Sequence, residues 1–374
     1  MQGNRIFGLD LLRAIAITLV VASHCTFIFF EETNNPILLS IRSLGAIGVD
    51  LFFVLSGFLI GGILLRQFNK NKISFKHLLW FWKRRWFRTL PNYFLVLIVN
   101  ILIIVSIGES LPSKTLLYFP FLQNFTSPHP DFFTEAWSLS IEEYSYLILP
   151  FMLYSTLYFL NLKYPKHKVF IWTTIALILI QLLFKVKYYL EVNVESYKDW
   201  SSTFRKVVIY RLDVIYYGFI LVYFYSIRTD FFNKYSRLFF VFSLLLFIFT
   251  HLFIYMFEVV PQTHLAFYVF EYLPIIAICC GFVFPFVMKL NPINSFQKII
   301  YFISTRSYAI YLINYSIILL NLKRILNFDT MSILMKFMVV LIFLILTLGI
   351  SDLLYRYFEK PILNYRDRKY LNSK

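Results

Sequence analysis

The sequence is short of charge, of acids and of cysteine. Charged residues fill 15% of its 374 positions, where a soluble domain carries about a quarter, so a water-soluble globular chain is excluded. Acids are the scarcer sign, 20 Asp and Glu against 36 Lys and Arg. The three cysteines, Cys25, Cys279 and Cys280, lie in apolar stretches and two are adjacent, which supplies neither a disulfide framework nor a metal-ligand spacing. The six histidines are scattered, with no HxxxH and no Cys/His cluster, so no metal site is expected. The basic excess does not point to nucleic acid either. It gathers in alternate loops between apolar runs, the positive-inside pattern of a membrane protein.

Apolar side chains are abundant, 59% of the chain with 21% aromatic and a mean hydropathy of +0.68. A bilayer core takes about 20 residues per helix, and runs of that kind recur along the whole length. They fall near 7–30, 44–65, 93–107, 145–160, 169–190, 207–226, 238–257, 266–288, 299–320 and 333–355. The expectation is an all-α polytopic membrane protein of about ten transmembrane helices, one domain over 1–374. Roughly 23 Lys and Arg fall on the amino-terminal side of these runs and roughly 9 on the other, which puts both termini in the cytoplasm. On that count the basic stretch 66–90 and the basic tail 356–374 are cytoplasmic loops, and 108–137 is the long outer loop. Residues 1–6 lack a strong basic start and no small-residue cleavage site follows, so the first run is expected to be retained as a helix rather than removed as a signal. Membrane lipids are its solvent, and the cell membrane its expected location.

The first run, FGLDLLRAIAITLVVASHCTFIFF, carries Asp10, Arg13 and His24. Ionisable groups are costly at that depth and mark functional sites in spanning helices. Asp10 and Arg13, three apart, can pair on one face. Arg13 and His24, eleven apart, return to within about 20° of one another and about 16 Å along the axis. The second run holds five glycines, which allow close helix approach, with Asp50 and Ser56 as polar intrusions. Arg85 and Arg88 end the basic stretch one turn apart, a spacing suited to phosphate. The outer loop closes on WSLSIEEYSYLILP, which places Ser138, Ser140 and the adjacent Glu142 and Glu143 at the mouth of an apolar helix. Either a helix cap or a carboxylate facing a cavity, able to charge an imidazole, explains such a pair. Arg211 and Asp213 intrude in YRLDVIYYG, and SYAIYLIN sets Tyr308, Tyr311 and Asn314 at helical spacing.

Taken in order, the Arg13–His24 pair, GVDLFFVLSGFLI, RRWFRTLPNY, WSLSIEEYSYLILP, YRLDVIYYG, RSYAIYLIN and YRYFEKP resemble the integral-membrane acyltransferase-3 family over essentially the whole chain. The resemblance implies transfer of an acyl group, commonly acetyl from acetyl-CoA as cosubstrate, to a hydroxyl of a cell-surface glycan or its lipid-linked precursor. It implies the stand-alone form, without a fused extracytoplasmic domain. By the same resemblance His24 is the catalytic histidine with Arg13 as partner, Glu142 the acid of the SLSxE motif with Glu143 second, and Arg85 and Arg88 the arginines of the CoA side. Asp10, Ser138 and Ser140 support them. Asn314 stands where the family often has histidine, which makes Asn314, Tyr311, Arg211 and Asp213 candidates for the acceptor side. His24 is either the base that takes the acceptor proton or is itself acylated. The reading expects Arg85 to face a cavity shared with His24, so that an acyl group crosses without its nucleotide. The competing expectation is a transporter or flippase of a lipid-linked sugar, using the same charged stripe as a path.

Overall fold

The computed structural model describes residues 5–30, 36–70, 73–159, 164–292 and 294–371. The sequence also suggests a short polar turn, Glu31 to Pro36, between the first two apolar runs; apart from Pro36 it lies outside the described residues. Among them there is no strand. The long helices are α1 (Phe7–Phe29), α2 (Pro36–Asn69), α3 (Phe75–Ser106), α4 (Ala136–Phe159), α5 (Lys166–Glu191), α6 (Asp213–Ile227), α7 (Ser236–Met256), α8 (Tyr272–Val287), α9 (Asn294–Ile313), α10 (Ile333–Leu354) and α11 (Lys360–Leu371). The fold is all-α and polytopic, with eight helices among the described residues long and apolar enough to cross a membrane. The sequence suggested about ten. The two that fall short are α4, diluted by serines, glutamates and tyrosines, and α9, diluted by Gln297, Lys298, Arg306 and its serines and tyrosines; both line the candidate site described below.

Two further boundaries differ from the sequence expectation. The basic, Trp-rich stretch from Phe75 is helical and runs into the third span without a break, because Lys, Arg and Trp are all competent helix residues and Pro91 is carried inside the helix. The SLSIEE segment does not cap α4. It forms the first two turns, with no acid in the first turn.

α2 is the hub. Of the candidate spans it is the most enclosed, 78% of its apolar window being buried, and it packs on α1 along one face and on α6 along another. Close approach in a bilayer needs small residues, because lipid chains are as apolar as leucine and burial alone favours no partner. A methyl group placed on Gly57 would lie 2.0 Å from the Ile215 carbonyl oxygen, and one on Gly218 would lie 2.3 Å from that of Val54. The α2–α6 crossing is therefore a backbone-to-backbone contact that tolerates only glycine. Two buried ion pairs fasten the same region: Arg211 Nη2 to Asp50 Oδ1 at 2.5 Å and Lys185 Nζ to Asp213 Oδ2 at 2.5 Å. α7 and α10 lie outside and turn leucine, isoleucine and phenylalanine outward, as a lipid-facing surface requires. Among the described residues four widened π-turns occur, at Ser201–Arg205, Phe267–Glu271, Asn314–Leu319 and Tyr355–Glu359. Such turns often mark functional positions, and the one at Asn314–Leu319 borders the candidate site described below.

Candidate functional site

The site occupies the space between α1, α2, α3, α4 and α9, in two parts. The first is a cavity of about 260 Å³ walled by apolar residues of α2 and by Arg13, Arg66, Arg85 and Arg88, with Glu142 the only carboxylate in the lining. Four guanidinium groups against one carboxylate give the lining a cationic excess. Arg85, on α3, is held in place by two residues of α4. Its Nη2 donates to Glu142 Oε1 at 3.1 Å and to the Tyr146 hydroxyl at 2.6 Å, and its guanidinium lies 4.1 Å from the centre of the Tyr146 ring. Ser56 donates to the same Glu142 oxygen at 2.5 Å, and Tyr146 donates to it as well. Charge-assisted contacts of this density fix a guanidinium's orientation. Arg13 reaches Asp10 Oδ1 at 3.3 Å, an oxygen that also accepts from Ser304 at 2.5 Å, while Arg5 binds both Asp10 oxygens.

The second part lies about three turns further along α1. His24 Nδ1 faces Oδ1 of Asn314. The amide nitrogen of Asn314 is already committed, donating to the Ile310 carbonyl at 2.8 Å and to that of Tyr311 at 2.9 Å. The atom turned to the imidazole is thus the acceptor oxygen, and Nδ1 must carry the hydrogen. This leaves Nε2 as the basic nitrogen. The Tyr315 ring lies 4.7 Å from the imidazole and that of Phe27 lies 6.5 Å from it.

The π-turn that presents Asn314 and Tyr315 is anchored by a residue the sequence reading passed over. Glu135, just before α4 and buried, accepts from the backbone N–H of Tyr315 at 3.1 Å and of Ser316 at 2.7 Å through one carboxylate oxygen. Burial pushes its pKa up to about 7, against those two N–H donors, which favour the carboxylate. Nothing in its sequence neighbourhood distinguishes it from an ordinary loop acid. Its position two residues before the Trp-Ser-Leu-Ser run is the one available hint.

Other expected residues separate. Ser138 bonds the Tyr311 hydroxyl at 2.6 Å, and both line the cavity. Ser140 is turned away and accepts from Gln123 at 2.7 Å. Glu143 lines a different pocket, between α3 and the loop that follows it. Glu142 does not charge the imidazole: its contacts are Ser56, Arg85 and Tyr146, and the place beside His24 is taken by the Asn314 amide, one turn beyond Tyr311. Arg211 and Asp213 are consumed in the buried pairs with Asp50 and Lys185 and do not line the cavity. Nor does His24 line it. The nearest shared boundary is Tyr311, a wall residue whose carbonyl holds Asn314.

A family model described as an acyltransferase domain matches residues 6–356. Among curated proteins, the chain is 34% identical over 178 residues to the peptidoglycan O-acetyltransferase OatA of Listeria monocytogenes, a match covering 42% of this chain and 25% of that protein. It is 33% identical over 172 residues to the putative peptidoglycan O-acetyltransferase YrhL of Bacillus subtilis, covering 41% and 24%. The O-acetyltransferase OatA of Staphylococcus aureus is 30% identical over 161 residues, 39% and 24% of the two chains. The chain thus spans about a quarter of the length of these relatives. No solved structure matches it.

Proposed function

The chain belongs to the acyltransferase-3 family, and from that premise we propose that this multi-pass membrane protein transfers an acetyl group from acetyl-CoA to a hydroxyl of a cell-surface glycan. The relatives' names carry the acceptor class: two are called peptidoglycan O-acetyltransferases. The observation that carries the chemistry is the histidine whose Nδ1 is occupied by Asn314 and whose Nε2 is left basic, set above a cavity lined with arginines.

In this reading Arg85 and Arg88 take the phosphates of the cosubstrate, because bidentate guanidinium groups match phosphate oxygens. The apolar wall of α2 takes the thioester arm. The acceptor hydroxyl gives its proton to His24 Nε2 as its oxygen attacks the thioester carbonyl. The new C–O bond forms, the C–S bond breaks, and the departing thiolate takes the proton back from the imidazolium. Asn314 Oδ1 accepts from Nδ1 throughout, which fixes the tautomer and stabilises the transient cation. Tyr311, whose hydroxyl bonds Ser138 and the Glu135 carbonyl, walls the cavity on the side of Asn314, so this reading requires the Tyr311 side chain to give way for the thioester to meet His24. The positive-inside count supports an arginine cavity on the cytoplasmic half and His24 on the outer half, the orientation in which the acetyl group would cross while the nucleotide stays.

The test uses purified protein in lipid with acetyl-CoA and de-O-acetylated peptidoglycan strands, reading free CoA and ester-linked acetate. His24→Ala is expected to abolish both. Equal ester formation by wild type and His24→Ala would overturn the assignment and favour a transport role.

A further inference from the structure

A second cavity, of about 250 Å³, opens at the far end of α1, and nothing above assigns it. Its floor is Phe27 to Phe30, the last turn of α1, and its walls are the segment Lys323 to Asp329 that follows α9 and its π-turn. Phe27 belongs to both places: it lines this cavity and its ring stands 6.5 Å from the His24 imidazole and 6.1 Å from the Tyr315 ring. His24 therefore lies on α1 between two cavities. Arg13, eleven residues before it, lines the arginine cavity, and Phe27, three residues after it, lines this one.

The walls are held rigidly. Asn327 caps the short 3-10 turn Phe328–Thr330 by accepting the Asp329 N–H at 3.2 Å, and Phe328 is buried beneath it. Lys336 of α10 donates to the Phe29 carbonyl at 2.8 Å, and Arg324 pairs with Glu109 at 3.2 Å. The polar side chains in the lining are Lys323, Arg324, Asn327 and Asp329, beside an aromatic ring; with the Asn327 oxygen on the Asp329 N–H and Arg324 on Glu109, the group turned to a ligand is the Asp329 carboxylate. Its two oxygens accept from two hydroxyls of one sugar, and an aromatic face covers the C–H side of a sugar ring. A cosubstrate rich in phosphate would instead seek the four arginines at the other end.

We propose that this cavity is the acceptor subsite, which takes a sugar residue of the glycan and presents its hydroxyl to His24 Nε2. The inference rests on the transferase reading above and adds where the acceptor enters. Asp329 and Lys323 are exposed.

The test compares wild type, Asp329→Ala and Lys323→Gln of the full chain in lipid nanodiscs. The acceptors are soluble peptidoglycan strands and, separately, a lipid-linked disaccharide precursor, and acetyl-CoA binding is measured in parallel. A rise of about tenfold in KM for either acceptor in Asp329→Ala, with acetyl-CoA binding at the wild-type level, supports the subsite, and the acceptor affected identifies the form that enters. An unchanged KM for both acceptors, with wild-type transfer intact, overturns the subsite and leaves the transferase standing. Failure of wild type to acetylate either acceptor would overturn the reading on which it rests.

Discussion

Asn314 presents its side-chain oxygen to His24 Nδ1 because its nitrogen is spent on the carbonyls of Ile310 and Tyr311. An amide in this role does what a carboxylate does for an imidazole, without adding a charge that must be buried. The widened turn at Asn314–Leu319 makes the arrangement possible, since it frees backbone N–H groups that Glu135 then accepts.

Replacing Asn314 tests this directly. Asn314→Ala removes the Nδ1 partner and lets the imidazole change tautomer and orientation, so kcat for glycan acetylation is expected to fall by about 10²-fold, with KM for acetyl-CoA unchanged. Asn314→Asp keeps an acceptor and adds a negative charge, which favours the imidazolium. That variant should retain more activity, with the acid limb of its pH–rate profile moved to higher pH. A flat response of kcat to both substitutions would remove Asn314 from the mechanism.

In the proposed mechanism Glu142 acts through Arg85, which it contacts at 3.1 Å. Glu142→Gln preserves shape but removes the charge opposite the guanidinium, and a buried cation stripped of its partner reorients or loses its place. KM for acetyl-CoA is expected to rise about tenfold, worth about 1.4 kcal/mol, while kcat at saturating donor changes little. Arg85→Lys should not rescue binding, because an ammonium cannot span Glu142, Tyr146 and a phosphate together. Donor-titrated initial rates separate these outcomes.

The fold class and the charged stripe of α1 were legible in the sequence because both rest on local pattern: long apolar runs, and ionisable residues interrupting them at helical spacing. The same holds for the Asp10–Arg13 contact, which needs only three residues of one helix. What could not be read was partnership across helices. Arg211 and Asp213 look like acceptor ligands until Asp50 and Lys185, on two other helices, are seen to neutralise them. Glu142 looks like the histidine's acid until α3 delivers Arg85 to it. Asn314 reads as a departure from a pattern, and its role follows only from a π-turn that no residue spacing announces.

Glu135 gives a pH signature outside the spanning segments. Its carboxyl titrates near 7 in the folded protein against an ordinary value of 4.5, because burial disfavours the charge. A carboxyl with a raised folded pKa holds a proton that the unfolded chain has already lost, so stability falls as pH rises between about 4.5 and about 7. Wild type should therefore lose stability relative to Glu135→Gln across that window, by at most about 3 kcal/mol. Thermal unfolding in detergent at pH 5 and pH 8 measures the difference. A gap between the two proteins that stayed constant with pH would mean that Glu135 remains ionised throughout.

The buried Asp50–Arg211 pair separates a structural role from a functional one. Asp50→Ala leaves Arg211, 1% exposed, as an uncompensated buried cation, a cost of about 3–5 kcal/mol. Removing both charges with apolar residues of similar size, Asp50→Leu with Arg211→Met, should restore most of that stability, since a buried pair offsets little more than its own desolvation. If the pair only fastens α2 to α6, the double variant folds and keeps its KM for glycan. A double variant that folds normally but loses glycan affinity would return Arg211 to the acceptor side, where sequence alone had placed it. Unfolding midpoints together with acceptor kinetics on the single and double variants decide between the two.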